Sequence, residues 1–354
     1  MDLVKNEYYF YDADGNDLVG GALKGIAEAT GDRYAYYYTA EEYAELTQSN
    51  SGEYVGIGIL VEQLAVGTFV IAEVYADSPA EEAGIAAGDQ LLAVNGVASE
   101  GYELDAFLQL ISVVDGADTE LTLQRNETEF TVTVTAREVI VPAVTCRMLD
   151  NGIGYLHIAS FHGHCVAETE QALKDLTEQG MRGLILDVRD NLGGSLYDVC
   201  DIADFFLDKE DVIVTLRSRT MVEEVFAAKE QALIPKNGGL PIVLLVNAYS
   251  ASASELFAGA LQDHGIAYVI GENTFGKGIV QSYYAISYTG GYLKLTTEAY
   301  YTPNGVCVQD TGIIPDRTVV LSEEAKGYPV LDCPYALDLQ LQAAVAYVDG
   351  ASAK

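Results

Sequence analysis

The stretch PIVLLVNAYSASASELFAGALQDHG, residues 241 to 265, decides the fold. Residues 242–246 are uniformly aliphatic, the pattern of a strand covered on both faces, as in a parallel sheet. The run Asn247-Ala-Tyr-Ser-Ala-Ser-Ala-Ser-Glu255 follows, and the chain then passes straight into a helix. At such a junction a serine is exposed and the first helical N–H groups point outward. Those donors and the positive end of the helix dipole favour an oxyanion. Small neighbours let a peptide backbone approach. A Ser-rich turn with a capping serine at 250, 252 or 254 would show the same pattern with no chemistry attached.

Working outward, GLILDVRDNLGG at 183–194 repeats the motif of a buried strand running into a glycine turn. A backbone N–H of Gly193 or Gly194 there could serve as a second oxyanion donor, or the turn could serve packing alone. TFGKGIVQ at 274–281 sets one lysine, Lys277, between two glycines in an apolar setting. Burial disfavours the charged form of a lysine, and a neutral lysine can act as a general base toward a hydroxyl. A solvated Gly-Lys-Gly turn and a phosphate loop are the other readings. The Walker spacing is absent.

From residue 150 strands alternate with helices: GIGYLHIASF, AETEQALKDLTEQG, GLILDVRD, LYDVCDIADFFL, PIVLLVN, ASELFAGALQDHG and AYVIGE. That order implies a layered α/β core, taken here as 138–354. Residues 52–137 are short strand-like runs broken by turns, a β-rich module of ordinary domain size. RNET at 125–128 reads as its hairpin turn. Residues 1–50 read as a helical, Tyr-rich segment, with Tyr34, Tyr36, Tyr37 and Tyr38 as packing residues, an aromatic binding platform being the sharper alternative.

Composition narrows the function. Nineteen Lys and Arg against 53 Asp and Glu give a net charge of −34, so nucleic acid and anionic lipid are poor partners. No run of 18 uncharged apolar residues is present. The start, MDLVKNEYYFYDADG, reads as the interior of a longer protein from which an N-terminal segment has been removed. The five cysteines (146, 165, 200, 307 and 333) show no CxxC and read as small buried hydrophobes. His162 and His164 lack partners at metal-ligand spacing, so no metal and no organic cofactor is expected.

The three loops, in this order, resemble the C-terminal processing peptidases, or tail-specific proteases. Members carry a nucleophilic serine in a SASE-type loop and a base lysine in an FGKG loop. The resemblance implies Ser252 as nucleophile, Lys277 as general base and Gln281 as the residue that orients the lysine. It also implies Ala253 N–H, with Gly193 or Gly194, as oxyanion donors. GDRYAYYYTAEEY, YYTPNG, GIIPD and the closing DLQLQAA look familial too. YVGIGI followed by DSPAEEAGIAAGDQLLAVNG is similar to the family's PDZ domain, with Gly56, Ile57, Gly58 and Ile59 resembling its carboxylate loop. The implied fold is a crotonase-like α/β peptidase core with an inserted PDZ domain. The implied function is endopeptidase cleavage near the C-termini of polypeptides, apolar tails being the better ligands for so acidic a protein. An extracytoplasmic location follows by the same resemblance, and a homodimer is compatible with it. Two other readings stand beside this one: an inactive PDZ scaffold that only binds peptides, and a crotonase-like acyl-CoA enzyme.

Overall fold

The computed structural model describes residues 2–8, 15–111 and 113–352. They form two compact units, Met1–Leu46 together with Ala143–Lys354, and Thr47–Pro142.

The larger unit is built on a six-stranded sheet. Its order is Val144–Met148, Gly154–Ile158, Leu184–Asp187, Ile242–Val246, Tyr268–Gly271 and Arg317–Thr318. All neighbours are parallel except the first pair. The three central strands, GYLHI, LILD and IVLLV, are buried at every position. Successive side chains take opposite faces. Leu184, Leu186, Leu244 and Val246 enter a core with the helices Cys165–Glu178, Leu196–Asp204 and Ala253–Asp263. Ile185, Val243 and Leu245 meet the C-terminal helix Leu339–Ser352 through Leu341, Ala344 and Val348.

A second sheet closes the far side of the helical layer. The strands Val212–Ser218 and Gly291–Tyr301 send Val214, Leu216 and Tyr300 into the same core. Ile279–Ile286 forms a hairpin with Gly291–Tyr301. The helix Ala253–Asp263 is buried at each residue from Ala253 to Leu261, which explains why ASELFAGALQD has no polar face.

The N-terminal segment departs from an all-helical reading. Gly15–Ala29 and Ala40–Asn50 are helical, but Tyr36–Tyr38 is a strand paired antiparallel with Gly291–Tyr301. Tyr37 is buried, and its hydroxyl donates to Thr289 Oγ1 at 2.6 Å, whereas Tyr36 is exposed. FYDAD, at 10–14, lies outside the described residues. The cysteine expectation is also corrected. Cys165 and Cys200 are buried, Cys307 and Cys333 are partly so, and Cys146 is exposed. Cys146 sits on an edge strand, Val144–Met148, whose middle three residues face solvent.

The smaller unit is a twisted antiparallel sheet with strands in the order Ile59–Ala65, Thr68–Val74, Gln90–Val94, Asp118–Arg125 and Thr128–Thr135. Phe69, Ile71, Leu91, Phe107, Leu121 and Leu123 fill its core. The hairpin between the last two strands turns on Asn126 and Glu127, both at positive φ, the conformation that a two-residue turn requires. Ile59–Ala65 is an edge strand.

Candidate active site

The strand Ile242–Val246 and the helix Ala253–Asp263 hold the loop 247–252 between them. Its three serines have different fates. Ser250 is buried, donating to Val188 O at 2.8 Å and accepting from Asn247 N at 3.0 Å. Ser254 is buried and donates to Asn191 O at 2.8 Å. Ser252 is half-exposed and caps the helix with φ 57° and ψ −113°. That region costs a non-glycine residue about 1–3 kcal/mol and persists only where surroundings impose it.

The imposing group is Glu255, one helical turn further on and fully buried. Its Oε2 accepts from Ser252 N at 2.9 Å and from Lys277 N at 2.8 Å. Its Oε1 accepts from Thr274 Oγ1 and Gly276 N, each at 2.6 Å. One carboxylate thus fastens the serine loop and the lysine loop to a single helix N-terminus, where a negative charge is also favoured by the dipole. Tyr300 adds a third tie, donating from its hydroxyl to Ser252 O at 3.0 Å. On the lysine loop, Gly278 packs so closely that a Cβ would come within 2.5 Å of Gln309 N, so the second glycine of FGKG is a steric requirement.

Lys277 is half-buried and its pKa is lowered. Burial is the main cause. The charges of Lys294 and Arg33 push the same way, against the opposing influence of Glu255 and Asp32. Its Nζ lies 4.8 Å from the centroid of the Tyr34 ring. Among the described residues no hydrogen bond joins Lys277 to Ser252. Their backbones are drawn together through Glu255, while the lysine head rests on Tyr34. Gln281 donates to Thr296 Oγ1 at 3.3 Å and makes no hydrogen bond to Lys277.

The glycine turn reaches the same place. A Cβ on Gly193, at φ 107°, would lie 2.9 Å from Ser252 Cβ and 3.0 Å from Ala253 N. Gly193 N already donates to Asn191 Oδ1 at 2.8 Å. The bonds to Phe161 are made by Gly193 O and Ser195 N, which leaves Gly194 N–H outside that bridge. As the first helical residue, Ala253 has no intrahelical partner for its N–H. Leu192, Tyr249 and Phe275, one on each loop, are exposed apolar side chains.

In the smaller unit Gly56 ends the strand Glu53–Gly56 and Ile59 begins the edge strand. Ile57 O and Gly58 O accept from Ala80 N and Tyr75 N. A Cβ on Gly56 would meet the Tyr54 ring at 2.3 Å, and the Tyr54 hydroxyl faces the Gly58 and Ile59 amides. The 56–59 loop therefore has a tyrosine across it.

Glu255, Thr274 and Asn191 escape sequence reasoning, and Tyr34 is read there as a packing residue, not as the ring beneath Lys277. Only Glu255 leaves a local signal, the Ser-x-x-Glu spacing of a capping box at 252–255.

The larger unit matches a peptidase family and the smaller a PDZ domain. The match to the peptidase family S41 model covers residues 152–319, and that to a PDZ domain covers 70–125. The carboxy-terminal processing protease CtpA of Bacillus subtilis is 33% identical over 331 residues, 93% of this chain and 69% of the relative. A Staphylococcus haemolyticus relative, described as a probable CtpA-like serine protease, is 32% identical over 89% of this chain and 62% of its own length. The chain thus spans somewhat more and somewhat less than two thirds of these two relatives. The solved structure of a photosystem II D1 C-terminal processing protease aligns with TM-score 0.55 at 26% identity, covering 90% of this chain and 86% of that one. The chain belongs to peptidase family S41 and is a serine protease.

Proposed function

We propose that this chain cuts polypeptides near their carboxyl termini by acyl transfer through Ser252 and Lys277. The observation that carries the reading is the Glu255 carboxylate, which binds the backbone N–H groups of both residues through one oxygen. The lowered pKa of Lys277 supplies the neutral amine a base requires. The lysine head leaves the Tyr34 ring and takes the Ser252 proton as Oγ attacks the scissile carbonyl carbon. Ala253 N–H and Gly194 N–H hold the oxyanion, Gly193 N–H being engaged by Asn191. Collapse breaks the C–N bond, and the lysine proton passes to the departing amine. Water, deprotonated by the same lysine, then releases the acyl group. Gln281, four residues beyond the lysine on the strand Ile279–Ile286, orients the lysine head once it has left the Tyr34 ring.

The exposed Leu192, Tyr249 and Phe275 favour apolar chain segments. A free edge strand beside the 56–59 loop suits β-strand addition of a C-terminal peptide. The crotonase-like layering of the core, a location outside the cytoplasm and a homodimeric state rest on the family resemblance. Light scattering of the purified chain tests the last of these. The function itself is tested by incubating the chain with unfolded proteins of known C-terminus and weighing the products. Fragments trimmed near that end by the wild type but not by Ser252→Ala support it, and intact substrates overturn it.

A further inference from the structure

Beside the lysine lies a pocket of about 290 Å³ bounded by Arg33, Tyr34, Tyr36, Tyr38, Glu42 and Lys294. It is built where the N-terminal strand Tyr36–Tyr38 joins the strand Gly291–Tyr301, with Tyr36 opposite Lys294 in the register. Two cations face it. Arg33 Cζ lies 4.7 Å from the centroid of the Tyr34 ring, the ring that also carries Lys277 Nζ, and Arg33 donates to the Tyr34 hydroxyl oxygen. Lys294 Nζ donates to Tyr38 Oη at 3.3 Å. Among the described residues neither Arg33 nor Lys294 forms an ion pair, in a chain where acidic residues outnumber basic ones 53 to 19. The acids nearby are spoken for or outweighed. Glu42 accepts from Lys24 Nζ at 3.2 Å and from Thr39 N at 2.8 Å. Asp32 accepts from Tyr34 N at 2.9 Å, and with Glu255 it opposes the Arg33 and Lys294 charges at Lys277.

We propose that this pocket is a subsite for a substrate carboxylate held beside the scissile bond. The proposal rests on the Ser252/Lys277 reading and adds a ligand class to it. Tyrosine rings line the pocket, and a carboxylate there would form charge-assisted bonds to Arg33 and Lys294. The carboxylate comes either from the chain terminus or from an Asp or Glu side chain near it. The pocket also gives the N-terminal segment a role, since Arg33, Tyr34 and Tyr36 all lie there.

The test uses the full chain and two pairs of internally quenched peptides built on one parent sequence. The first ends in a free carboxylate, the second is its amide, and the third and fourth are amides carrying Glu or Gln beside the last residue. The ratio of kcat/KM between twins is the readout, because any change in Lys277 basicity affects both twins alike. The wild type is expected to prefer at least one carboxylate-bearing twin by about tenfold or more, the size of one bond to a charged group. In the double variant Arg33→Gln, Lys294→Gln that ratio should fall close to one. The acid–amide pair reports a terminal carboxylate and the Glu–Gln pair a side-chain one. A wild-type ratio near one for both pairs, or a ratio that survives in the double variant, overturns the proposal. The second result would place recognition elsewhere, as at residues 56–59. Failure of the catalytic reading looks different: no twin is cut, or Ser252→Ala still cuts. In that event the affinity of the same peptides for Ser252→Ala, with and without the two further substitutions, still decides the pocket's role.

Discussion

At the scale of single residues the site depends on a group that is not itself reactive. Glu255 uses both carboxylate oxygens to accept four hydrogen bonds. In Glu255→Gln one oxygen is replaced by an amide that can only donate, so donors on that side lose their acceptor. We expect kcat to fall about 100-fold, the scale of a misplacement near 1 Å, while the variant still folds. Single-turnover kinetics alongside a thermal melt checks this, and an unchanged kcat would remove Glu255 from the account. Lys277 predicts a pH dependence of definite sign. Its pKa is lowered by burial, then by Lys294 and Arg33. The active, neutral form therefore gains as pH rises, and kcat/KM should climb with a midpoint below the ordinary lysine value of about 10.4. Lys294→Gln removes one depressing charge and should move that midpoint upward. A flat profile, or a downward shift in the variant, would count against a lysine base. Lys277→Arg should be inactive, because a guanidinium does not surrender its proton.

At the scale of elements, close packing makes the glycine turn part of the site. Gly193→Ala must place a methyl 2.8 Å from Ala251 O and 2.9 Å from Ser252 Cβ, at a φ that alanine disfavours. The expected result is loss of turnover with a stability cost of about 1–3 kcal/mol, read by denaturant melts beside activity. Full activity would show that the turn can move away from the serine. Much at this scale is legible in the sequence, because it is written locally: IVLLV as a covered strand, small residues before an apolar helix, and glycines on either side of Lys277. What stays hidden is what distant segments do to one another. The strand Tyr36–Tyr38 is only three residues long, and its partner lies some 250 positions away. Asn191 takes the Gly193 amide that sequence offers equally with Gly194. Neither fact leaves a trace in periodicity or spacing.

At the scale of the larger unit, the C-terminal helix is joined to the sheet by a buried ionic cluster. Arg189 donates to Asp187, to Asp338 and to Gln340, and all four are buried. Burial alone would raise the Asp187 pKa, and the Arg189 charge and hydrogen bonds more than reverse it. Arg189→Met leaves two buried carboxylates without their cation, which should destabilise the fold by about 3–5 kcal/mol. Denaturation of wild type and variant at neutral pH measures it, and a loss below about 1 kcal/mol would mean that water reaches the cluster. Because the Asp187 pKa is depressed, its contribution is present above the unfolded value of about 3.9 and is lost as pH falls below it. The closing DLQLQAA shows an apolar helix, but the pairing of Asp338 with Arg189 is visible only once the sheet is formed.

The central claim is that one hydroxyl of three is the nucleophile, chosen by backbone strain and exposure. The most direct measurement is the turnover of Ser250→Ala, Ser252→Ala and Ser254→Ala on one unfolded substrate, with products identified by mass. Ser252 is the half-exposed serine, at φ 57°, while Ser250 and Ser254 spend their hydroxyls on Val188 O and Asn191 O. The account predicts no turnover for Ser252→Ala and residual turnover, with reduced stability, for the other two. Cleavage by Ser252→Ala at the wild-type rate would contradict it.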